Sequence, residues 1–219
     1  MNTLLAGVTL LILGDSHVAF KDSLLSVLPE AYESMGAKVV TYGVCSSSPA
    51  GWVKGPKDTG CGGVVRNGTG PIADPSAATF PFPDVASLID KWQPTAVMFI
   101  YGDTIGSYTA DPFPAEWIEN QVKSVATLAG AKTKCLWVGP TWGTFNPRYG
   151  KTEETTKRIT GFLSSHVQPC TYIDSTSFMQ NKAVETVDGL HLTPKSYKAW
   201  GAGIVDATLP LLSGNGSKS

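Results

Sequence analysis

The stretch Leu11-Ile12-Leu13-Gly14-Asp15-Ser16-His17 decides the reading of the fold. An apolar run, Val8–Leu13, passes into Gly-Asp-Ser, and an amphipathic pattern follows over Val18–Met35, with Pro29 marking a break or a fresh first turn. Strand, tight turn, helix is the unit of a parallel α/β sheet. Further along, Lys38–Tyr42, Ala96–Tyr101, Lys134–Val138 and Thr171–Asp174 are short and mostly apolar, as strands covered on both faces must be. Helical patterns alternate with them at Val85–Trp92, Ala115–Ala129 (stopping at Gly130), Thr152–Ser165 and Pro194–Leu209. Five strands with intervening helices predict an α/β doubly wound, three-layer sandwich.

One domain over residues 1–212 accounts for the pattern. Residues 46–84 are dense in Gly and Pro and carry no sustained period, so they read as a long inserted loop, functional or stapled. The tail 213–219, SGNGSKS, reads as disordered.

Composition removes several classes of function. Of 219 residues, 42% are apolar and 16% charged, and the formal net charge is −1. Without a basic cluster, nucleic-acid binding by counterion release is not expected. No apolar run reaches the length of a membrane span. The first residues, MNTLLAGVTLLILG, have the apolar character of a signal-peptide core. They lack a preceding Lys or Arg and a small-residue cleavage pattern, so they read as the first strand. Cys45, Cys61, Cys135 and Cys170 suit two disulfides in any of three pairings, and no C-x-x-C is present. The expectation is an oxidising compartment, periplasmic or secreted, for a protein whose leader is not part of this sequence.

Chemistry is expected where strands end. Ligands of open parallel sheets gather outside the carboxyl ends of the strands, and Ser16 stands there at a helix N-terminus. A serine so placed attacks a carbonyl if a base takes its proton. The chain has three histidines. His166 lies late in a helical pattern and suits a helix-end carbonyl, and His17 adjoins the serine and points elsewhere. His191 follows Asp188 by three residues in Val187-Asp188-Gly189-Leu190-His191-Leu192-Thr193-Pro194, a loop able to aim both side chains at one point. Alternatively, Asp15, His17, Asp188 and His191 form a carboxylate–imidazole metal site of a hydrolase.

Together, Gly-Asp-Ser after the first strand and Asp-x-x-His before the last helix resemble the SGNH (GDSL-like) hydrolase family over roughly residues 8–209. The resemblance implies Ser16 as nucleophile, His191 as base and Asp188 as its orienting acid, with no cofactor. It implies a five-stranded parallel sheet in the flavodoxin-like order 2-1-3-4-5. It also implies oxyanion donors: the Ser16 backbone, Ser46 where the family's second block has Gly, and Gly102 with Thr104 in a third block normally Gly-x-Asn-Asp. Here that block reads Gly102-Asp103-Thr104, so a hydroxyl stands where an amide is expected. The implied strand order makes Cys135 and Cys170 neighbours and leaves Cys45 with Cys61. The Gly-Asp-Ser-His wording and the cysteine-bearing loop are similar to SGNH domains that add or remove acetyl groups on extracellular polysaccharides. The implied partner is therefore an O-acylated carbohydrate or other small ester. Trp52, Trp142 and Tyr108, with Phe145 and Tyr149, are the aromatics expected at the mouth, and Arg148 or Lys54 the candidate polar contacts. The missing amide also admits a catalytically idle carbohydrate-binding module.

Overall fold

In a computed structural model, residues 3–54, 61–72, 80 and 83–214 are described, the Lys54 side chain excepted. The chain forms β1 (Thr9–Gly14), α1 (Leu24–Ser34), β2 (Lys38–Val44), α2 (Gly51–Lys54), β3 (Gly63–Asn67), α3 (Val85–Trp92), β4 (Ala96–Ile100), α4 (Ala115–Lys132), β5 (Lys134–Val138), α5 (Glu153–His166), β6 (Thr171–Ile173), α6 (Ser175–Phe178) and α7 (Pro194–Leu212). Helices cover both faces of one sheet, and the period-two alternation of β1 feeds both layers. Leu11 and Leu13 pack with Val97, Phe99 and Trp137 under α3, α4 and α5. Leu10 and Ile12 pack with Met98, Ile100 and Val138 under α1 and α7. Each of these fully buried leucines contributes roughly 1.5–3 kcal/mol over an exposed one.

The sheet has six strands in the order β3-β2-β1-β4-β5-β6, not five. The added strand, β3, runs antiparallel outside β2 and lies within the stretch expected to be loop. Its Arg66 explains its place. Pro29 sits inside α1 and has no N–H for the Leu25 carbonyl one turn back. Arg66 Nη1 donates to that carbonyl at 2.7 Å. Its Nε and Nη2 close the following turn on the carbonyls of Gly70 and Thr69. A proline that starves a helix of one hydrogen bond is thus matched by an arginine that ties the edge strand to that helix.

Other boundaries differ for local reasons. The first helix starts at Leu24 rather than Val18, because Ser23 caps it and Asp15 separately caps a one-turn 3-10 segment, Ser16–Val18. α4 continues through Gly130, which lies against the Pro169 ring. α7 continues through Pro210 to Leu212. Disulfides join Cys45 to Cys61 and Cys135 to Cys170. The second ties β5 to the start of β6, its neighbour in the sheet. Of the inserted loop, residues 55–60, 73–79 and 81–82 lie outside the described residues, as does the 215–219 part of the tail.

Candidate active site

β1 ends at Gly14, and Asp15 Oδ1 accepts the His17 N–H at 3.0 Å, folding Ser16–Val18 into its turn. A Cβ at Gly43 would collide with the Val18 carbonyl, so β2 must carry glycine where the turn crosses it. Ser16 is thereby fixed at the carboxyl edge of the sheet, 7% exposed.

The segment before α7 comes to the same point. Val187 N–H donates to the His191 carbonyl at 2.8 Å and Thr193 N–H to the Glu185 carbonyl at 3.0 Å, pinching the loop shut. Gly189 at its tip has φ +95°, a left-handed conformation that favours glycine. Asp188 Oδ1 accepts the N–H groups of Leu190 (3.0 Å) and His191 (2.7 Å). Its Oδ2 lies 2.7 Å from His191 Nδ1, and His191 Nε2 lies 2.8 Å from Ser16 Oγ. Burial works to raise the Asp188 pKa, but the hydrogen bonds from the His191 ring and from two backbone N–H groups outweigh it and leave it below the ordinary value. With Asp188 ionised, Nδ1 is the protonated nitrogen and Nε2 is left to accept from the Ser16 hydroxyl.

β1 and β4 are paired with Gly14 opposite Ile100, so the turns that follow them leave the sheet side by side. The second is a 3-10 turn, Asp103–Ile105, capped by Gly102. Thr104 Oγ1 within it is buried and has no hydrogen-bond partner among the described residues. Ser46, exposed just after β2, has φ +60° and adjoins the Cys45–Cys61 disulfide.

A buried charge network underlies both turns. Asp103 receives His17 Nε2 on Oδ2 at 2.7 Å and Lys151 Nζ on Oδ1 at 2.7 Å, with the Tyr108 hydroxyl donating to the same Oδ1. The side chains of His17, Asp103 and Lys151 are 3%, 2% and 1% exposed. His17 Nδ1 pairs with the Tyr197 hydroxyl at 2.8 Å. Burial pushes the Asp103 pKa up, but Lys151 and His17 outweigh it and hold the carboxyl well below its usual range. Burial lowers the His17 pKa, but Asp103 and Asp15 outweigh it and raise it. Asp15 is fully buried, which raises its pKa.

No family model matches the sequence. Protein BcsX of Komagataeibacter xylinus is 52% identical over 212 residues, which span 97% of this chain and 80% of that protein. The chain belongs to the BcsX family. Solved structures add a likeness of fold. A proposed SGNH hydrolase from Slackia heliotrinireducens superposes with a TM-score of 0.60 at 12% identity, covering 92% of this chain and 98% of that one. A family 3 carbohydrate esterase of Clostridium thermocellum gives 0.59 at 12% identity, covering 96% and 99%. The BcsX-family chain thus has the fold of the SGNH hydrolases.

The remaining sequence-stated residues of this BcsX-family protein divide clearly. Trp52, Trp142 and Tyr108 do not form a mouth, for these residues are 0%, 8% and 8% exposed. Trp52 Nε1 donates to the buried Tyr101 hydroxyl and Trp142 Nε1 to the Met179 carbonyl, each at 2.6 Å. Polar partners inside the protein hold these rings in the core. Phe145 is 70% exposed. Tyr149 donates to Asp188 Oδ2 at 3.3 Å with the Arg148 guanidinium over its ring. His166 meets the Phe162 carbonyl at its helix end, 2.7 Å away. The Lys54 side chain lies outside the described residues. All four nitrogens of His17 and His191 have protein partners, so neither ring is arranged to ligate a metal. Sequence reasoning passed over a cleft of about 540 Å³ beside His191, walled by Phe20, Lys21, Val187, Leu192 and Tyr197. Phe20 and Val187, apolar residues flanking the two motifs, stay exposed on its walls.

Proposed function

We propose that this protein is a serine esterase or acyltransferase that hydrolyses or transfers O-acetyl groups on a carbohydrate, through an acyl-enzyme on Ser16. The observation that carries the reading is the continuous chain Ser16 Oγ to His191 at 2.8 Å and His191 to Asp188 at 2.7 Å. Its geometry suits a nucleophile, a base and an orienting acid.

The chemistry then runs in two steps. Ser16 Oγ attacks the acyl carbon while its proton passes to His191 Nε2, and Asp188 stabilises the imidazolium. The carbonyl oxygen becomes an oxyanion facing the Ser16 N–H, with Ser46 N–H and the Gly102–Thr104 turn as further donors. The intermediate collapses, the ester C–O bond breaks, and His191 returns the proton to the departing alcohol. Water or a sugar hydroxyl, deprotonated by His191, then attacks the acyl carbon, the bond to Ser16 Oγ breaks, and His191 returns the proton to Ser16. Because His191 hands its proton to the alcohol, the cleft beside His191 is the alcohol side, where aromatic and aliphatic walls suit the flat face of a sugar ring. The family 3 carbohydrate esterase sharing this fold supports a carbohydrate ester. Two disulfides support a periplasmic or secreted location.

Fluorophosphonate labelling followed by peptide mass spectrometry tests the nucleophile. The label is expected on Ser16 alone, with hydrolysis of p-nitrophenyl acetate lost in Ser16→Ala and in His191→Ala. Retained turnover in a folded Ser16→Ala protein would refute the reading. Sugar binding with no ester turnover would make the protein a binding module instead.

A further inference from the structure

Lys151 is one of the largest fully buried side chains in the protein. A lysine is almost never buried unless paired, and a buried ion pair is a poor stabiliser compared with apolar side chains of the same volume. Its ammonium faces inward to Asp103, so it is not placed to bind substrate. What it touches is informative. Asp103 is the middle residue of the Gly102–Thr104 turn, and its carboxylate takes three donors, from Lys151, Tyr108 and His17. His17 directly follows Ser16 and lies 5.5 Å, ring to ring, from His191. The stem of Lys151 passes close to Gly143: a Cβ built there would lie 2.7 Å from Lys151 Cδ and 2.5 Å from the Gly189 carbonyl of the Asp188–His191 loop. Thr144, the next residue, donates its N–H to that same carbonyl at 3.1 Å.

We propose that Lys151 is a positioning residue: through Asp103 it fixes the Gly102–Thr104 turn relative to Ser16, setting the direction in which Thr104 meets the developing oxyanion. The inference rests on the esterase reading above. A threonine hydroxyl donates a single hydrogen bond, so its aim tolerates little slack. Lys151 and His17, both bonded to one buried carboxylate, supply that stiffness.

The test compares wild type with Lys151→Met and with Lys151→Met/Asp103→Asn, measuring kcat and KM for p-nitrophenyl acetate, the urea midpoint, and the rate of fluorophosphonate labelling at Ser16. Lys151→Met is expected to lower kcat about 10- to 100-fold with KM within about twofold, as loss of a transition-state contact requires. The double variant no longer buries a carboxylate that has lost its lysine, so its urea midpoint is expected to recover while kcat stays low. A purely structural lysine predicts that activity recovers with stability. The proposal is overturned if either folded variant keeps kcat within about twofold of wild type, or if only KM changes. It is also overturned if neither variant folds, since Lys151 would then act on the fold and not on the turn. Wild-type protein that neither turns over the ester nor takes the label refutes the esterase reading itself, and this inference with it. An active wild type whose variants are equally active refutes only the inference.

Discussion

Asp188→Ala separates two contributions that the site combines. Asp188 Oδ2 lies 2.7 Å from His191 Nδ1, and on the proposed mechanism that ring becomes an imidazolium only during reaction. Asp188 and His191 side chains are 33% and 27% exposed, so the effective dielectric lies between that of a shielded surface pair and water. For charge centres about 4 Å apart this gives roughly 2–3 kcal/mol. The same carboxylate shapes its loop, because Oδ1 accepts two backbone N–H groups that alanine would leave unpaired. Each adds about 0.5–1 kcal/mol of lost order in His191. The sum, roughly 3–5 kcal/mol, predicts a fall in kcat/KM on the order of 10²–10⁴. Removing a serine nucleophile costs on the order of 10⁶ in comparable enzymes, so Ser16→Ala is slower still. Asp188→Asn tells loop from charge. The asparagine oxygen can still serve both N–H groups, but its NH2 then faces His191 Nδ1 and favours the tautomer that cannot accept from Ser16. It is expected to be no faster than Asp188→Ala, by roughly 10⁴ below wild type. Steady-state hydrolysis of p-nitrophenyl acetate, with circular dichroism to confirm folding, measures all of these. If folded Asp188→Ala is as slow as Ser16→Ala, or if Asp188→Asn outpaces it tenfold, the division into charge and loop order is wrong.

Other perturbations reach different parts of the molecule. Arg66→Met leaves the Leu25 carbonyl unpaired opposite Pro29 and is expected to cost about 2–4 kcal/mol in urea unfolding, with kcat of the folded fraction unchanged. Removing Cys135–Cys170, which closes 35 residues, is expected to cost about 4 kcal/mol, against about 3 kcal/mol for the 16-residue Cys45–Cys61 closure. Only Cys45–Cys61 adjoins Ser46, so p-nitrophenyl acetate turnover is expected to fall when that bridge alone is removed by Cys→Ala exchange. The folded-state pKa of His17 is raised by Asp103 and Asp15, against burial and Lys151. Its contribution to stability is therefore complete below the unfolded value of about 6.5 and is lost as pH rises through the folded one. Urea midpoints are expected to decline on the alkaline side, and a flat profile there would contradict a charged His17. Asp103, with its pKa held down, loses its contribution only as pH falls well below the ordinary carboxylate range.

Most of the fold was legible because its strands are buried on both faces. A run such as Leu10–Leu13 feeds two helical layers and has to be apolar throughout, which leaves a strong local signal. β3 left none. It is an edge strand of five residues whose burial alternates, and its one unusual side chain, Arg66, is buried to serve a carbonyl 41 positions earlier. No local period encodes a partnership of that range. The start of α1 was misplaced for a milder reason: Asp15 and Ser23 are both good caps, and a continuous apolar pattern bridged the short non-helical stretch between them.

The candidate site was legible in the side chains that converge, Ser16, Asp188 and His191, and opaque in their supports. Ser16 and the Asp188–His191 loop are local constructions, each specified by a tight turn, a cap and a glycine. Tryptophans and tyrosines in loops carry no such specification. Whether Trp52 faces solvent or core depends on Tyr101, 49 positions away, whose hydroxyl holds it inside. Lys151 is the extreme case, since in sequence it is one ordinary lysine ahead of a capped helix. Its burial follows from where β4 and β5 end: paired from Ala96–Lys134 to Ile100–Val138, they deliver Asp103 and the segment before α5 to the same corner of the sheet. Asp103 in the third block therefore has a task that no reading of Gly-Asp-Thr could supply. It collects one group from the Ser16 turn and one from the loop behind the histidine. On the proposed mechanism Thr104 is an oxyanion donor, and the turn that carries it is the one anchored by the buried lysine.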